Sequence, residues 1–165
     1  MYLTVITKDQ CEQVRKWRNV DISIYRTPFL LTEEMQSEFY TDVICNRRSD
    51  HRYWSVMDSK QFLGMIGLVN ISLENRNVEI SIVINPEFSR KGFGDQAFKL
   101  LLDKGFNELN LDNIYGECYA CNPNIDFWKQ MIKKYGGQTT TLFNKKFYRG
   151  VYWNSIYFNF ERGCI

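Results

Sequence analysis

The middle of the chain alternates apolar and polar positions with a period of two, which is typical of β-strands. The alternation covers residues 53–57, 62–71 and 78–84, and the two segments between these runs, 58–60 and 74–77, have the polar composition of turns. The pattern therefore predicts three antiparallel strands connected as a meander.

Helical spacing of apolar residues occurs before this meander. Residues 9–17 follow a strand-like run at 2–6, and Thr32 is positioned to cap a second helix. That helix is expected to place three apolar side chains on one side: Met35, Phe39 and Val43. Residues 19–28, between the two helices, are predicted to form a loop.

After the meander, helices and strands are predicted to alternate. The segments are a helix over 97–109 after a turn that ends at Gly94, a strand over 113–120, a helix over 124–135 and a closing hairpin of 139–148 with 151–160. Because a helix separates strand 78–84 from strand 113–120, these two strands should run parallel. The length of 165 residues suits one domain, which we place at 1–165.

The composition is that of an ordinary globular protein. Hydrophobic residues make up 44% and charged residues 24%, and the formal net charge of +2 is too small to attract nucleic acid nonspecifically. No apolar run approaches the roughly 20 residues that a membrane helix needs. We therefore expect neither nucleic acid nor a membrane as a partner.

Five cysteines, an odd number, and the lack of a signal-peptide pattern favour a reduced, cytoplasmic setting. They are Cys11, Cys45, Cys118, Cys121 and Cys164. Cys118 and Cys121 form a C-x-x-C pair, but no second ligand pair follows, and the single histidine, His51, is distant in sequence. We therefore expect small buried thiols and no metal site.

The segment after strand 78–84 carries the clearest chemical signal. Gly92 and Gly94 stand directly before a helix, where free backbone amides and the helix dipole favour an anion such as a pyrophosphate. Arg90 and Lys91 add positive charge beside them. An ordinary tight turn would also use glycines, so both interpretations stay open at this point. The meander disfavours a dinucleotide-binding fold, and the P-loop motif is missing.

The whole chain resembles the GNAT superfamily of acyl-CoA N-acyltransferases, in particular the branch of ribosomal-protein-alanine and nucleotide-amino-sugar acetyltransferases. The family's turn has Gln or Arg, two residues, Gly, any residue, and Gly or Ala. This chain matches it at Gly92 and Gly94 but has Ser89 at the first position. The segment Trp17-Arg18-Asn19 is similar to the branch's opening motif. The resemblance implies an α/β (α+β) fold with a mostly antiparallel sheet of about seven strands, four flanking helices, and strands 4 and 5 splayed apart.

The same resemblance implies acetyl-CoA as co-substrate, held where strands 4 and 5 separate. Its pyrophosphate would bind the amides of residues 92–95, and the backbone of strand 4 would hold the pantetheine. The residues implied at this site are Ile82, Val83, Ile84, Ser89, Arg90, Lys91, Gly92, Phe93, Gly94, Asp95, Asn122 and Trp128. Asn122 could equally cap the following helix, and Trp128 could be a core residue.

Transfer to an amine requires a base, because a primary amine is protonated at neutral pH. Glu79 is the candidate, since the branch carries a Glu at the similar position. A solvent-facing Glu in an alternating strand is the alternative, and Glu117 is a rival. In many members of the family a Tyr protonates the thiolate that leaves. This chain has Trp128 at that position, and an indole cannot act as the acid. Tyr135, Tyr119 or water is therefore left for that role.

The acceptor is expected against the loop at 18–30, the second helix and the final hairpin. Stacking and phosphate-binding side chains are present there: Arg18, Asn19, Tyr25, Arg26, Tyr148, Tyr152 and Trp153. They favour a nucleotide-linked amino sugar as the small-molecule amine. The alternatives are a peptide N-terminus and an acyl-CoA-binding module without turnover. Antibiotics, polyamines, longer acyl chains and a homodimer are also compatible with the sequence.

Overall fold

A computed structural model describes residues 1–163, so that Cys164 lies outside the described range. Over this range seven strands form one sheet: β1 Tyr2–Thr4, β2 Arg52–Asp58, β3 Gln61–Ser72, β4 Asn77–Ile84, β5 Asn113–Tyr119, β6 Gln138–Tyr148 and β7 Val151–Glu161. Their spatial order is β1-β2-β3-β4-β5-β7-β6. Neighbouring strands are antiparallel except β4 and β5, which are parallel as predicted.

Four α-helices flank the sheet within the described residues, which confirms the predicted fold class. They are α1 Lys8–Val20, α2 Glu33–Phe39, α3 Phe93–Asp103 and α4 Ile125–Lys134. Turns of π-helix extend α2 over Tyr40–Ile44 and α3 over Lys104–Glu108, and short 3-10 turns occupy Ile22–Ile24 and Pro86–Phe88. The Thr32 hydroxyl accepts a hydrogen bond from the Met35 amide, which is the predicted cap of α2. None of the helices described is long and apolar enough to cross a membrane.

The apolar face of the second helix differs from the prediction. Met35 is exposed, whereas Gln36 is buried. The π-helical turn widens the helix after Phe39, so that Ile44, and not Val43, packs with Phe39 against the cluster beneath α1. The helix is present where it was predicted, but its apolar face is shifted by one residue.

Two hydrophobic clusters lie on opposite faces of the sheet. The larger one packs α3 and α4 against the strands and includes Phe98, Leu101, Ile114 and Phe158. The smaller one lies beneath α1 and consists of Ile6, Cys11, Val14, Met65 and Val83. β1 ends at Thr4, earlier than predicted, yet the following chain still contributes a buried side chain to the smaller cluster.

The two parallel strands separate after a short paired region. β4 and β5 pair only at Asn77 with Asn113, Val78 with Ile114, and Glu79 with Tyr115. Residues 80–84 therefore keep β3 on one side and have no strand partner on the other side within the described chain. The predicted splay is confirmed, and it opens a cleft along the edge of β4.

Candidate active site

The open edge of β4 presents backbone groups to the cleft. The amide of Asn85 donates to the carbonyl of Leu63 beside β3, and alternate residues of a strand direct their backbone groups to the same side. Val83 therefore faces β3, whereas Ile82 and Ile84 face the open side. Of the three backbone positions predicted for the pantetheine, Ile82 and Ile84 are placed to hydrogen-bond a ligand, and Val83 is not.

The glycine turn lies at the end of this edge, at the start of α3. Gly92 has φ of +82° in the left-handed region, no side chain caps the helix there, and a Cβ on Gly92 would meet no atom within 4 Å. Ser89, Arg90 and Lys91 are exposed, and neither cation forms an ion pair with a carboxylate of residues 1–163. Free amides, open space and available cations fit the pyrophosphate of a CoA ligand.

Gly94 serves a different purpose from Gly92. A Cβ on Gly94 would lie 3.1 Å from Cε2 of Phe127, which is tighter than an ordinary contact, so a glycine here lets α4 approach α3. Phe93, between the two glycines, packs edge-on against Phe88 with ring centroids 5.8 Å apart. These packing contacts hold the turn before α3 in place and let α4 pack beside it.

Asp95 and Tyr135 connect α3 to α4. The Asp95 carboxylate lies 2.6 Å from Nζ of Lys134, and the Tyr135 hydroxyl donates to it at 3.2 Å. The Tyr135 ring packs on Phe98, and burial, followed by the Asp95 charge, raises the pKa of Tyr135. The hydroxyl predicted as a catalytic acid thus holds two helices together and makes no contact with the carboxylates of β4 and β5.

Asn122 and Trp128 both make structural contacts, although Asn122 does not cap α4, whose N-cap is Asn124. Oδ1 of Asn122 accepts a hydrogen bond of 2.8 Å from the amide of Asn124, just before α4. Trp128 stacks on Phe158 with centroids 4.9 Å apart and meets Phe98 edge-on. Asn122 therefore orders the start of α4, and Trp128 joins the larger cluster.

The predicted base and its rival lie together around one guanidinium. Glu79 occupies the last paired position of β4, and its side chain is only 11% exposed, so the solvent-facing alternative is wrong. Its Oε1 lies 2.5 Å from Nη2 of Arg26, and Asn70 donates to its Oε2 at 3.1 Å. Glu117 lies 3.6 Å from the same Arg26 nitrogen and accepts a hydrogen bond of 2.5 Å from Ser155. We call Glu79, Glu117 and Arg26 the carboxylate cluster.

The electrostatics of this cluster keep Arg26 charged. Burial, the largest single effect, lowers the pKa of Arg26, but Glu79, Glu117 and Tyr119 together outweigh it, and the net shift is upward. Tyr119 lies beside the cluster, where burial, followed by the Glu117 charge, raises its pKa. Tyr119, rather than Tyr135, is thus the candidate acid that lies near Glu117 and Arg26 of this cluster.

The loop after α1 is closed by Asn19. Its Nδ2 donates to the Leu31 carbonyl at 2.8 Å, and its Oδ1 accepts from the Leu31 amide at 2.9 Å. The predicted substrate residue Asn19 therefore uses both polar atoms to position the loop. Next to it, Arg18 lies 4.8 Å from the centroid of the Tyr25 ring and donates to Thr27.

Lys146 on β6 fastens the final hairpin to the same loop. Its Nζ donates to the carbonyls of Ser23 and Tyr25 and lies 4.8 Å from the centroid of the Tyr119 ring. A cavity of about 620 Å³ opens between this loop, the turn before α4 and the hairpin, and Asn19, Cys121 and Tyr148 are among its lining residues. Of the residues predicted to contact the acceptor, Asn19 and Tyr148 line this cavity.

The last two residues predicted to contact the substrate, Trp153 and Tyr152, lie on opposite faces of the hairpin. Trp153 pairs with Lys146 and donates through Nε1 to the Tyr148 carbonyl, so it belongs to the cavity side. Tyr152 pairs with Phe147 on the opposite face, where it is 66% exposed. Tyr152 therefore points away from Trp153 and Lys146, because neighbouring residues of a strand point to opposite faces.

Sequence reasoning missed three functional neighbours: Lys146, Ser155 and Tyr53. Burial raises the pKa of the Tyr53 phenol to about 12, and both Arg18 and Glu79 lie close enough to affect it. The alternation of Tyr115, Glu117 and Tyr119 on β5 was a visible signal that this strand directs polar groups to the same face as Glu79.

Known proteins resemble this chain in sequence and in fold. Spermidine N(1)-acetyltransferase of Escherichia coli is 37% identical over 68 residues, which are 41% of this chain and 36% of that protein. The spermidine N(1)-acetyltransferase of Vibrio cholerae is 29% identical over 106 residues, 64% of this chain and 60% of that protein. The match thus spans about a third of the Escherichia coli protein and somewhat under two thirds of the Vibrio cholerae protein.

A solved structure of spermidine N-acetyltransferase from Vibrio cholerae in complex with CoA and spermine superposes with a TM-score of 0.86. The match covers 98% of this chain and 95% of that one at 23% identity, so it establishes a shared fold. The family described as "Acetyltransferase (GNAT) domain" matches residues 2–126, most of the chain. The chain therefore belongs to the GNAT acetyltransferase family.

Proposed function

We propose that this protein transfers an acetyl group from acetyl-CoA to a primary amine of a small molecule. The observation that carries the proposal is the position of Glu79 at the point where β4 and β5 separate. From that point the unpaired edge of β4 leads directly to the uncapped turn at Gly92. A buried carboxylate therefore stands at one end of the cleft and an anion site at the other.

The residues along the cleft suit acetyl-CoA. The amides following Gly92, with Arg90 and Lys91, would hold its phosphates, and the backbone of Ile82 and Ile84 would hydrogen-bond its pantetheine. Acetyl-CoA supplies the acetyl group as a thioester, which an amine can attack once it has lost a proton.

Glu79 is proposed to accept the proton of the amine. Asn70 fixes Oε2 of Glu79, while Oε1 faces Arg26, whose side chain is half exposed and can give way to an arriving ammonium group. Glu117 remains the rival base, since it shares the same guanidinium. For the thiolate that leaves, we propose Tyr119 as the proton donor, because it lies beside this cluster.

Two acceptor classes are supported by different observations. The relatives are named for spermidine, and a cationic polyamine would be attracted by Glu79 and Glu117. A nucleotide-linked amino sugar, expected from the sequence, finds support in Tyr148 of the cavity lining and in Arg18, which stacks on Tyr25 and whose neighbour in the chain, Asn19, lines the cavity. None of the relatives carries the name of an amino-sugar enzyme, so this second class rests on the residues alone.

The test has two steps. A rise in the thermal midpoint with saturating acetyl-CoA is expected, because a ligand that binds only the folded protein stabilises it. Mass spectrometry of products from spermidine, nucleotide-linked amino sugars and peptides with free N-termini then identifies the acceptor. Acetyl-CoA binding without turnover on any amine would instead indicate a non-catalytic acyl-CoA-binding module, and no binding at all would refute the proposal.

A further inference from the structure

Arg18 carries a positive charge that nothing nearby neutralises. It projects from the end of α1 against the Tyr25 ring, and no carboxylate of residues 1–163 lies within ion-pair distance of it. Its one side-chain hydrogen bond within this range goes from Nη2 to Thr27, at 3.2 Å. A guanidinium has five N–H donors, so most of its hydrogen-bonding capacity is unused.

Burial makes this arrangement costly in the absence of a ligand. Burial lowers the pKa of Arg18, which shows that its surroundings disfavour the charged form. Buried charges in proteins are normally paired, and a planar guanidinium matches a carboxylate or a phosphate with two parallel hydrogen bonds. An anion against Arg18 would remove this penalty.

The wider charge balance of the acceptor side points the same way. Arg26 already neutralises much of the charge of Glu79 and Glu117. Lys146 adds another cation, whose contacts are the carbonyls of Ser23 and Tyr25 and no carboxylate of the described chain. Asp21 and Arg149 line the cavity as well, so four basic groups face three carboxylates, and the surplus charge is positive.

Tyr53 relates the unpaired cation to the proposed base. Its phenol is buried, and Arg18 and Glu79 both lie close enough to act on it electrostatically. The geometry gives the same neighbourhood, because Arg18 stacks on the Tyr25 ring and the next residue in the chain, Arg26, contacts Glu79 at 2.5 Å. Arg18 and Glu79 therefore border the same loop. The phosphates of CoA are served separately by Arg90, Lys91 and the turn at Gly92, which follow the far end of β4.

We propose that the acceptor is a primary amine that also carries an anionic group, a carboxylate or a phosphate, and that Arg18 binds this anion while the amine faces Glu79. The inference rests on the proposed acetyl transfer and narrows its acceptor. A polyamine has no group for Arg18 and would add positive charge to a site that already has a surplus.

The test compares pairs of amines in which one member carries an anionic group where the other has a cationic or neutral group. The matched pairs are 1,4-diaminobutane with 4-aminobutyrate for a carboxylate, and glucosamine with glucosamine 1-phosphate for a phosphate; spermidine is measured alongside. For at least one pair, kcat/KM is expected to be about tenfold or more higher for the anionic member, as one charge-assisted hydrogen-bond pair provides. In Arg18→Gln this ratio should fall towards one, and Arg18→Lys, which keeps the charge, should retain part of it.

Arg48→Gln serves as the control, because Arg48 is exposed and far from the cavity lining. It should leave the ratio unchanged, and thermal midpoints with acetyl-CoA confirm that each variant is folded. Equal or higher kcat/KM for diaminobutane and spermidine, or an unchanged ratio in Arg18→Gln, would overturn the inference.

Binding measurements distinguish a failure of the anion site from a failure of acetyl transfer itself. Calorimetry of the same pairs with the CoA-saturated protein is expected to show tighter binding of the anionic member, and loss of that difference in Arg18→Gln. Tighter binding without turnover would refute the transfer reaction and retain the anion site. No difference in binding for either pair would refute the anion site.

Discussion

Glu79 is held by two partners that act on different oxygens. Asn70 donates to Oε2, whereas the Arg26 guanidinium lies against Oε1 and comes from a loop that covers the cleft. The side chain is therefore oriented before any ligand arrives, which reduces the reorganisation that proton transfer would require. The same guanidinium also reaches Glu117, so the roles of the two carboxylates must be separated by experiment.

Glu79→Gln is expected to lower kcat by about 10²-fold or more, because a positioned general base typically contributes that much. The neutral amide keeps the size of the side chain and the contact with Asn70 but cannot take up a proton. Acetyl-CoA affinity, measured by calorimetry, should be unchanged, since the phosphate site lies at the other end of the cleft.

Glu74→Gln is the matched control, because Glu74 is exposed in the turn between β3 and β4. It should retain full activity. A larger loss of kcat in Glu117→Gln than in Glu79→Gln would assign the base to Glu117.

The resemblance to the family indicated Glu79 but not its partners. Glu79 interrupts an apolar strand just before the glycine turn, which is a short-range pattern. Arg26 lies in a segment without periodicity, and its contact with β4 depends on how Asn19 ties that segment to Leu31. Contacts made by an aperiodic loop depend on tertiary packing, which periodicity does not encode.

At the scale of elements, the turn before α3 can be compared with the turn of the final hairpin. Gly92 has φ of +82° and Gly150 has φ of +81°, and a Cβ at either position would meet no atom within 4 Å. The two glycines therefore differ only in location: one begins α3, and the other joins β6 to β7.

Gly92→Ala and Gly150→Ala are each expected to lower the free energy of unfolding by about 1 kcal/mol, because an L-residue is strained in the left-handed region. Only Gly92→Ala should weaken acetyl-CoA binding, since its methyl group would occupy the space proposed for the pyrophosphate. Urea unfolding measures the first effect and calorimetry with acetyl-CoA the second. Equal acetyl-CoA affinity in both variants would show that the turn at Gly92 is only a structural corner.

The positions of the strands and helices were predictable from the sequence. Which side chains each element directs towards the core was less predictable. The meander, the parallel β4 and β5 and the closing hairpin all follow from runs of alternating residues. The π-helical turn after Phe39 shifts the apolar face of α2 from Val43 to Ile44, and a 3.6-residue period cannot anticipate it. Tyr152 was grouped with the acceptor residues because an aromatic side chain suits a ligand. Its strand partner Phe147 instead places it on the outer face of the hairpin.

At the scale of the whole molecule, the two clusters on either side of the sheet bury groups that ionise at alkaline pH. Burial raises the pKa of the Cys11 thiol from 9.0 to about 11 and that of Cys118 from 9.0 to about 12. The phenols of Tyr25 and Tyr53 are raised from 10.0 to about 12, also mainly by burial. In each case the folded protein favours the neutral form.

These shifts predict that the free energy of unfolding falls as the pH rises from about 9 to about 12. Between these values the unfolded chain has released protons that the folded protein still holds, so alkali favours unfolding. The stabilising contribution is complete below the unfolded pKa values and is lost as the pH passes through them towards the folded values. Urea unfolding at about pH 8 and about pH 10.5 measures the decline.

Cys118→Ala isolates one contribution, because it removes a buried thiol from the larger cluster and leaves a small apolar side chain. The variant is less stable at neutral pH owing to the lost packing, but its free energy of unfolding should fall less steeply with pH than that of the unmodified protein. Val56→Ala is the control, since Val56 is buried in the same cluster but does not ionise, so the variant should lose stability without a change in slope. Equal slopes in all three proteins would mean that the Cys118 thiol ionises as readily in the folded protein as in the unfolded chain, and its burial would then contribute packing alone.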